Sequence, residues 1–215
     1  MESTVATKPT YWGFILLIEI IALVFLTGFF PLHWHPIVFP ILYSALYLTT
    51  VGSLDKNKKE MFALAVLLLI AQATFKFFDL IVIEIISRAL NFLFFSFIVM
   101  SFIRQIAKAK QVTERVILEA VNGYLLLGLV FTFLIGMMIQ FDPNAYNYSQ
   151  AGGGTLHNSM YYSFITFATL GYGDLIPLNP SAKSLSILIA VCGQLYVAVI
   201  ISLLVGKFSS QSKQS

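Results

Sequence analysis

The sequence predicts an all-α membrane protein with six transmembrane helices and a re-entrant helix between the fifth and the sixth. Three observations predict it. Of the 215 residues, 58% are hydrophobic and only 11% charged, against about 25% charged in a soluble domain; mean hydropathy is +0.85. The apolar residues gather in runs of about 20, the length that crosses a hydrocarbon core. Between the last two runs, Asp142 to Lys183 is too long for a hairpin and holds an apolar stretch too short to cross.

Tyr11 to Phe30 forms the first span, and since no small-residue cleavage site closes it, it is retained rather than removed as a signal. Ile37 to Leu54 is the second. Met61 to Ile103 is too long for one crossing at about 1.5 Å per residue and right for two. Its turn is expected near Phe78–Leu80, where Lys76, Asp79 and Glu84 cluster. Val116 to Phe141 and Ser184 to Phe208 are the fifth and sixth spans, and Leu156 to Thr169 fits the re-entrant helix. Five regions follow: an N-terminus (1–10), a four-helix domain (11–103), a linker (104–115), a C-terminal pair of spans (116–208, its last helix from 182) and a tail (209–215).

Lysine and arginine orient these spans. With the N-terminus inside, the inner segments hold Lys8, Lys56, Lys58, Lys59, Arg104, Lys108, Lys110, Arg115, Lys207 and Lys213, which is 10 of the 13 basic residues. The opposite orientation would place all ten outside, so both termini are expected in the cytoplasm. Trp12 and Trp34 fall at span ends, as interfacial aromatics do. His33 and His35 fit ordinary interfacial histidines better than a proton sensor. Cys192, the single cysteine, excludes an intrachain disulfide and reads as a small buried hydrophobe.

Glu19 is the one carboxylate in the middle of a span, and a charge there is costly unless it is neutral or paired. Pairing with Arg88 or Lys76 across the bundle is the favoured expectation. Lys76 with Asp79, and Glu84 with Arg88, have helical ion-pair spacing. The basic linker is expected along the inner membrane surface, near anionic lipid heads. Asn147-Tyr148-Ser149 matches a glycosylation sequon, a pattern short enough to occur often by chance.

The decisive stretch is Thr166-Phe167-Ala168-Thr169-Leu170-Gly171-Tyr172-Gly173-Asp174. Stacked backbone carbonyls directed at one axis can replace a cation's water shell. That needs dihedrals that ordinary L-residues disfavour, which glycine supplies at positions 171 and 173. The carbonyls of Thr169, Leu170, Gly171 and Tyr172 would form the stacked sites, with the Thr169 hydroxyl at the innermost.

This stretch resembles, without a mismatch, the Thr-Val/Ile/Leu-Gly-Tyr-Gly-Asp signature of the tetrameric potassium channels. The resemblance extends over about 100 residues, from the fifth span to the sixth. It implies a pore helix at 156–168, a selectivity filter at 169–174 holding K+ at Thr169, Leu170, Gly171 and Tyr172, with Gly173 completing it, and an inner helix at 182–208. Tyr161 and Tyr162 fall at the family's aromatic pair, and by analogy Tyr162 would bond Asp174 behind the filter. Ile165 stands where some prokaryotic relatives carry glutamate, and Gly193 matches the family's gating hinge. Asn158 or Ser159 is expected to cap the pore helix.

One filter segment per chain cannot close a ring, so three further copies are expected, in a homotetramer. Six spans with the pore between the last two resemble the voltage-gated superfamily. Yet Ile81 to Ile103 holds only Arg88, with Arg104 at its end. Steep gating uses about 3–4 charges per subunit, so little or no voltage sensing is expected. Val199, Ile200, Leu203 and Leu204 are candidates for an inner constriction.

Four-repeat uptake carriers need about four filter segments per chain, and this chain has one. Metal spacing, a nucleophile elbow and a phosphate loop are absent from the sequence, so no enzyme and no cofactor are expected beyond K+ as the permeant ion. A non-conducting partner subunit would have no use for Gly171 and Gly173. Nucleic acid is not an expected partner and membrane lipid is. The few residues after Gly206 leave no room for a large ligand-binding domain, and a prokaryotic plasma membrane is the expected location.

Overall fold

The computed structural model describes residues 11–54, 58–78, 81–148 and 155–212, and it is all-helical apart from loops and one isolated bridge. Helix α1 spans Tyr11–Ile21 and runs on as a π-helical turn (Ala22–Leu26) and a 3₁₀ turn (Thr27–Phe29). The Thr27 hydroxyl donates to the Leu23 carbonyl at 2.6 Å, the local competition for a carbonyl that accompanies such a distorted turn. A further 3₁₀ turn leads into α2 (His35–Ser53), followed by α3 (Lys58–Phe78), α4 (Ile81–Lys108), α5 (Glu114–Phe141), α6 (Thr155–Phe167) and α7 (Pro180–Ser212).

By length and composition, four of the described helical segments can cross a membrane: Tyr11–Phe29, Ile85–Lys108, Glu114–Phe141 and Pro180–Gln211. Ile37–Ser53 is apolar but shorter. Helix α3 ends at Phe78 and α4 begins at Ile81, so the break falls at 79–80, outside the described residues. Helix α4 runs on to Lys108, which shortens the linker from the expected 104–115 to 109–113. Arg104 and Lys108 belong to the last turns of α4 instead.

The first four helices pack in chain order, and both α1 and α4 lie against α5, which carries α6 and α7 on its other side. An aromatic cluster joins α2, α4 and α5. Phe95 stacks on Phe133 at 5.7 Å between centroids, Tyr47 meets Phe94 edge-on at 5.2 Å, and Tyr47 and Phe95 are fully buried. The Tyr47 hydroxyl donates to Asn91 within this core. Between α1 and α5, the Asn122 amide donates to the Gly13 carbonyl at 2.9 Å.

Among the described residues, Glu19 accepts from the Thr49 hydroxyl on α2. Arg88 donates to the Gly136 carbonyl of α5 at 2.8 Å. The side chains of Lys76 and Glu84, and Asp79 as a whole, lie outside the described residues. A neutral hydroxyl answers a mid-span carboxylate without bringing a second charge into the bundle.

Toward the C-terminal end of α7, four bonds from three residues tie it to neighbours. Tyr196 donates to the Ala120 carbonyl at 2.9 Å. Lys207 donates to the Ala107 carbonyl at 2.8 Å and to that of Ala109, where its charge meets the negative end of α4. Gln211 accepts the Val112 N–H at 3.3 Å.

Candidate functional site

Helix α6 is the short helix that the sequence placed at 156–168, found at Thr155–Phe167. It is seated against α5 by Ser163, whose hydroxyl donates to the Gly128 carbonyl at 2.7 Å. Gly128 leaves space for the Phe164 ring, which a Cβ there would meet at 2.6 Å. Phe167 is fully buried, with its ring 4.6 Å from Tyr124 and 5.9 Å from Phe131. Asn158 and Ser159 are buried inside the helix rather than capping it, because the helix begins before them, at Thr155.

Beyond Phe167 the chain turns back across the end of α6. The N–H groups of Leu170 and Gly171 both donate to the Ile165 carbonyl, at 2.8 and 3.1 Å. In a planar trans peptide the carbonyl points opposite to the N–H it shares the plane with. The Thr169 and Leu170 carbonyls therefore both point away from α6, side by side. Ile165 supports the loop through this backbone oxygen, while its side chain is buried.

Backbone dihedrals repeat the pattern along the loop: Thr169, Gly171 and Gly173 have φ of +59°, +54° and +81°. Alternate residues in the left-handed region keep successive carbonyls from alternating sides as they would in a strand. Nothing lies within 4 Å of a Cβ built on Gly171 or Gly173, so the dihedral and not crowding requires glycine there. Thr169 takes the same conformation with a β-branched side chain, at a cost of roughly 1–2 kcal/mol. The pattern of two glycines did not disclose this third left-handed position. Leu170 is 58% and Tyr172 69% exposed, large apolar surface that one chain leaves uncovered.

The partner of Asp174 is Tyr161, not Tyr162. The Tyr161 hydroxyl donates to Asp174 Oδ2 at 2.7 Å. Adjacent helical residues point about 100° apart, from 3.6 residues per turn. The turn that aims Tyr161 at the filter therefore carries Tyr162 toward α7, where its hydroxyl lies 2.7 Å from that of Ser186. Ser186 gives its own proton to the Ala182 carbonyl, so Tyr162 is the donor of that pair. Tyr162 also meets Tyr146 edge-on at 4.9 Å.

The hydrogen bond from Tyr161 holds the Asp174 carboxyl below the usual aspartate range, since it favours the ionised form. A folded-state value below the unfolded one means that the tie is complete above the ordinary aspartate pKa of about 3.9 and is lost as pH falls through the lowered value. Flux through Tyr161→Phe is expected to begin its acid loss at higher pH than flux through the wild type. Coincident pH profiles from liposome flux would show that the bond does not matter.

Loop 142–148 is laid along the segment leaving the filter. Tyr146 and Pro177 form an antiparallel bridge, and the Leu178 N–H donates to the Ala145 carbonyl at 2.8 Å. Asn179 caps α7 by accepting from the Ala182 N–H at 2.7 Å, and donates to Asp142 Oδ2 at 2.6 Å. Asn147 reaches residues 174–176. Its sequon partner Ser149 lies outside the described residues.

On α7, Gly193 is buried against the end of α6. A Cβ there would collide with the Phe167 carbonyl oxygen and stand 3.0 Å from the Phe167 ring. Helix α7 is continuous through this point. Below it Ile200 is buried in its own chain, whereas Val199 and Ser202 line an open groove with Ala198 and Leu203. Among the described residues, no group of three or more His, Cys, Asp or Glu gathers as a metal site. The loop's backbone carbonyls are oxygens that it offers a cation, beside the Thr169 hydroxyl and the Asp174 carboxylate.

A short helix ending in a carbonyl-bearing loop is thus seated between two long apolar helices. Residues 123–210, which run from α5 through α7, match the family model described as Ion channel. Over 56 residues the chain is 43% identical to the inward rectifier potassium channel Kirbac3.1 of Paramagnetospirillum magnetotacticum, covering 26% of this chain and 19% of that one. The chain thus spans about a fifth of that relative's length. No solved structure is significantly similar. The resemblance to potassium channels carried by residues 166–174 is in keeping with these similarities.

Proposed function

We propose that this chain is the subunit of a homotetrameric, potassium-selective channel that passes K+ passively down its electrochemical gradient. The observation that carries the reading is the pair of Leu170 and Gly171 N–H groups on the single Ile165 carbonyl. It turns two successive filter carbonyls the same way, in a loop whose alternate residues are left-handed. Four such loops around an axis would give rings of carbonyls from Thr169, Leu170, Gly171 and Tyr172, which substitute for the hydration shell of K+. The exposure of Leu170 and Tyr172, and of Ile187 and Leu195 on α7, supports further copies as the missing cover.

The six-span reading adds α2 and α3 to the four long apolar segments. The apolar character of Ile37–Ser53 supports it for α2. The inner clustering of basic residues supports a multi-pass plasma membrane protein with both termini in the cytoplasm.

Voltage sensing is expected to be weak. Moving one charge through 100 mV yields only about 2.3 kcal/mol, and α4 carries one arginine within its apolar stretch, bonded to the α5 backbone. Arg88→Gln is expected to leave a shallow conductance–voltage curve as shallow as before. A steep wild-type curve that Arg88→Gln flattens would refute this.

The deciding measurement is K+ against Na+ flux through purified protein in liposomes, with barium as blocker, alongside the oligomer mass in mild detergent. Barium-sensitive K+ flux that excludes Na+, from a tetramer of 24.0-kDa chains, is the expected result. Equal Na+ and K+ flux, or a stable monomer that conducts, would overturn it.

A further inference from the structure

We propose that Asn147 is a positioning residue that sets the outer end of the filter, an inference that rests on the potassium-channel reading above. The Asn147 side chain spends both of its polar atoms on the strand that leaves the filter. Its Nδ2 donates to the Asp174 carbonyl at 3.1 Å, and its Oδ1 accepts the Ile176 N–H at 2.7 Å. Its backbone N–H donates to the Ile176 carbonyl at 3.3 Å. A carboxamide presents N–H donors and a carbonyl acceptor side by side, the same groups that a backbone offers, so Asn147 acts here as an extra rung of backbone.

Packing does not do this work. Gly173 has nothing within 4 Å of a built Cβ, and Asp174 is exposed. The exit of the filter is thus held by hydrogen bonds from two sides. Tyr161 on α6 holds the Asp174 carboxylate, and Asn147 on the α5 side holds the Asp174 carbonyl. The loop that presents Asn147 is itself fixed: Ala145 is fully buried, Tyr146 nearly so, and Asp142 is bonded to Asn179. Asn147 therefore passes the position of a rigid platform to the Gly173–Asp174 backbone and through it to the Tyr172 carbonyl.

Three variants test the proposal in liposomes, against wild-type protein whose barium-sensitive K+ selectivity is measured first. Asn147→Ala removes both side-chain bonds and is expected to lower the K+/Na+ permeability ratio roughly tenfold in four chains. Asn147→Asp keeps the acceptor for Ile176 but sets an oxygen against the Asp174 carbonyl. It is expected to lower the ratio at least as far with assembly intact, which a merely structural role would not do. Asn144→Ala, on the same loop, is expected to match the wild type. Wild-type selectivity in both Asn147 variants would overturn the proposal while leaving the channel reading standing. Failure of both variants to assemble would overturn it in favour of a folding role. A non-selective wild type would overturn the channel reading, and this one with it.

Discussion

Replacing Gly171 by aspartate is expected to abolish barium-sensitive K+ flux, by at least about 100-fold. Two effects combine. A side chain at φ +54° is strained whatever the space around it, at roughly 1–2 kcal/mol per chain. Four carboxylates would also meet at one level of the pore. Like charges about 4 Å apart repel by about 4 kcal/mol at the effective dielectric of a protein surface. Gly171→Ala separates the two effects. Its Cβ finds open space, so only the dihedral cost applies, and a loss of about tenfold per 1.4 kcal/mol is expected. Liposome flux read beside oligomer mass checks both. An assembled Gly171→Asp channel that still passes K+ selectively would mean that these carbonyls do not line the path.

The second large effect is expected at Gly193. Substitution by alanine drives a Cβ into the Phe167 carbonyl, a backbone atom that cannot swing aside as a side chain does. Overpacking of this kind costs about 1–3 kcal/mol per chain, and α7 must lift off the end of α6. Gly193→Ala is therefore expected to lower the Tm of the assembled protein by several degrees and to weaken K+/Na+ discrimination, with Gly193→Val worse in both. A glycine that served only as a hinge would behave otherwise. Its replacement would alter how often the channel opens but leave Tm and selectivity in place. Thermal unfolding followed in detergent, with the permeability ratio from liposomes, separates a packing glycine from a bending one.

Much of the site was legible because its chemistry is local. The left-handed backbone at Gly171 and Gly173 could be read directly, since a loop of cooperating carbonyls needs glycines at fixed spacing. The short helix before it was located within one residue at each end, because its apolar length is bounded by polar loops. What stayed hidden depends on rotation and on contacts between distant segments. Choosing Tyr161 over Tyr162 requires the phase of α6 about its own axis, which two adjacent tyrosines do not reveal. Thr169 carries no sign of a left-handed backbone, because threonine is not the residue that favours it. Glu19 was assigned a cation by charge logic, while its partner among the described residues is a hydroxyl on α2. Asn147 matched a modification pattern, and its neighbours in space begin 27 residues further along the chain.

The bonds around the outer mouth also imply an order of events during folding. They join residues 13 to 37 positions apart, from Tyr161–Asp174 to Asp142–Asn179. Those at the other end of α7 span 76 to 100, from Tyr196–Ala120 to Lys207–Ala107. Closing a loop costs about 0.6 kcal/mol more for each doubling of its length, and contacts close in sequence form sooner. The bonds around residues 161–179 can therefore form first. The clasp around Lys207 closes later, over the longest loops, when the carbonyl loop already has its shape.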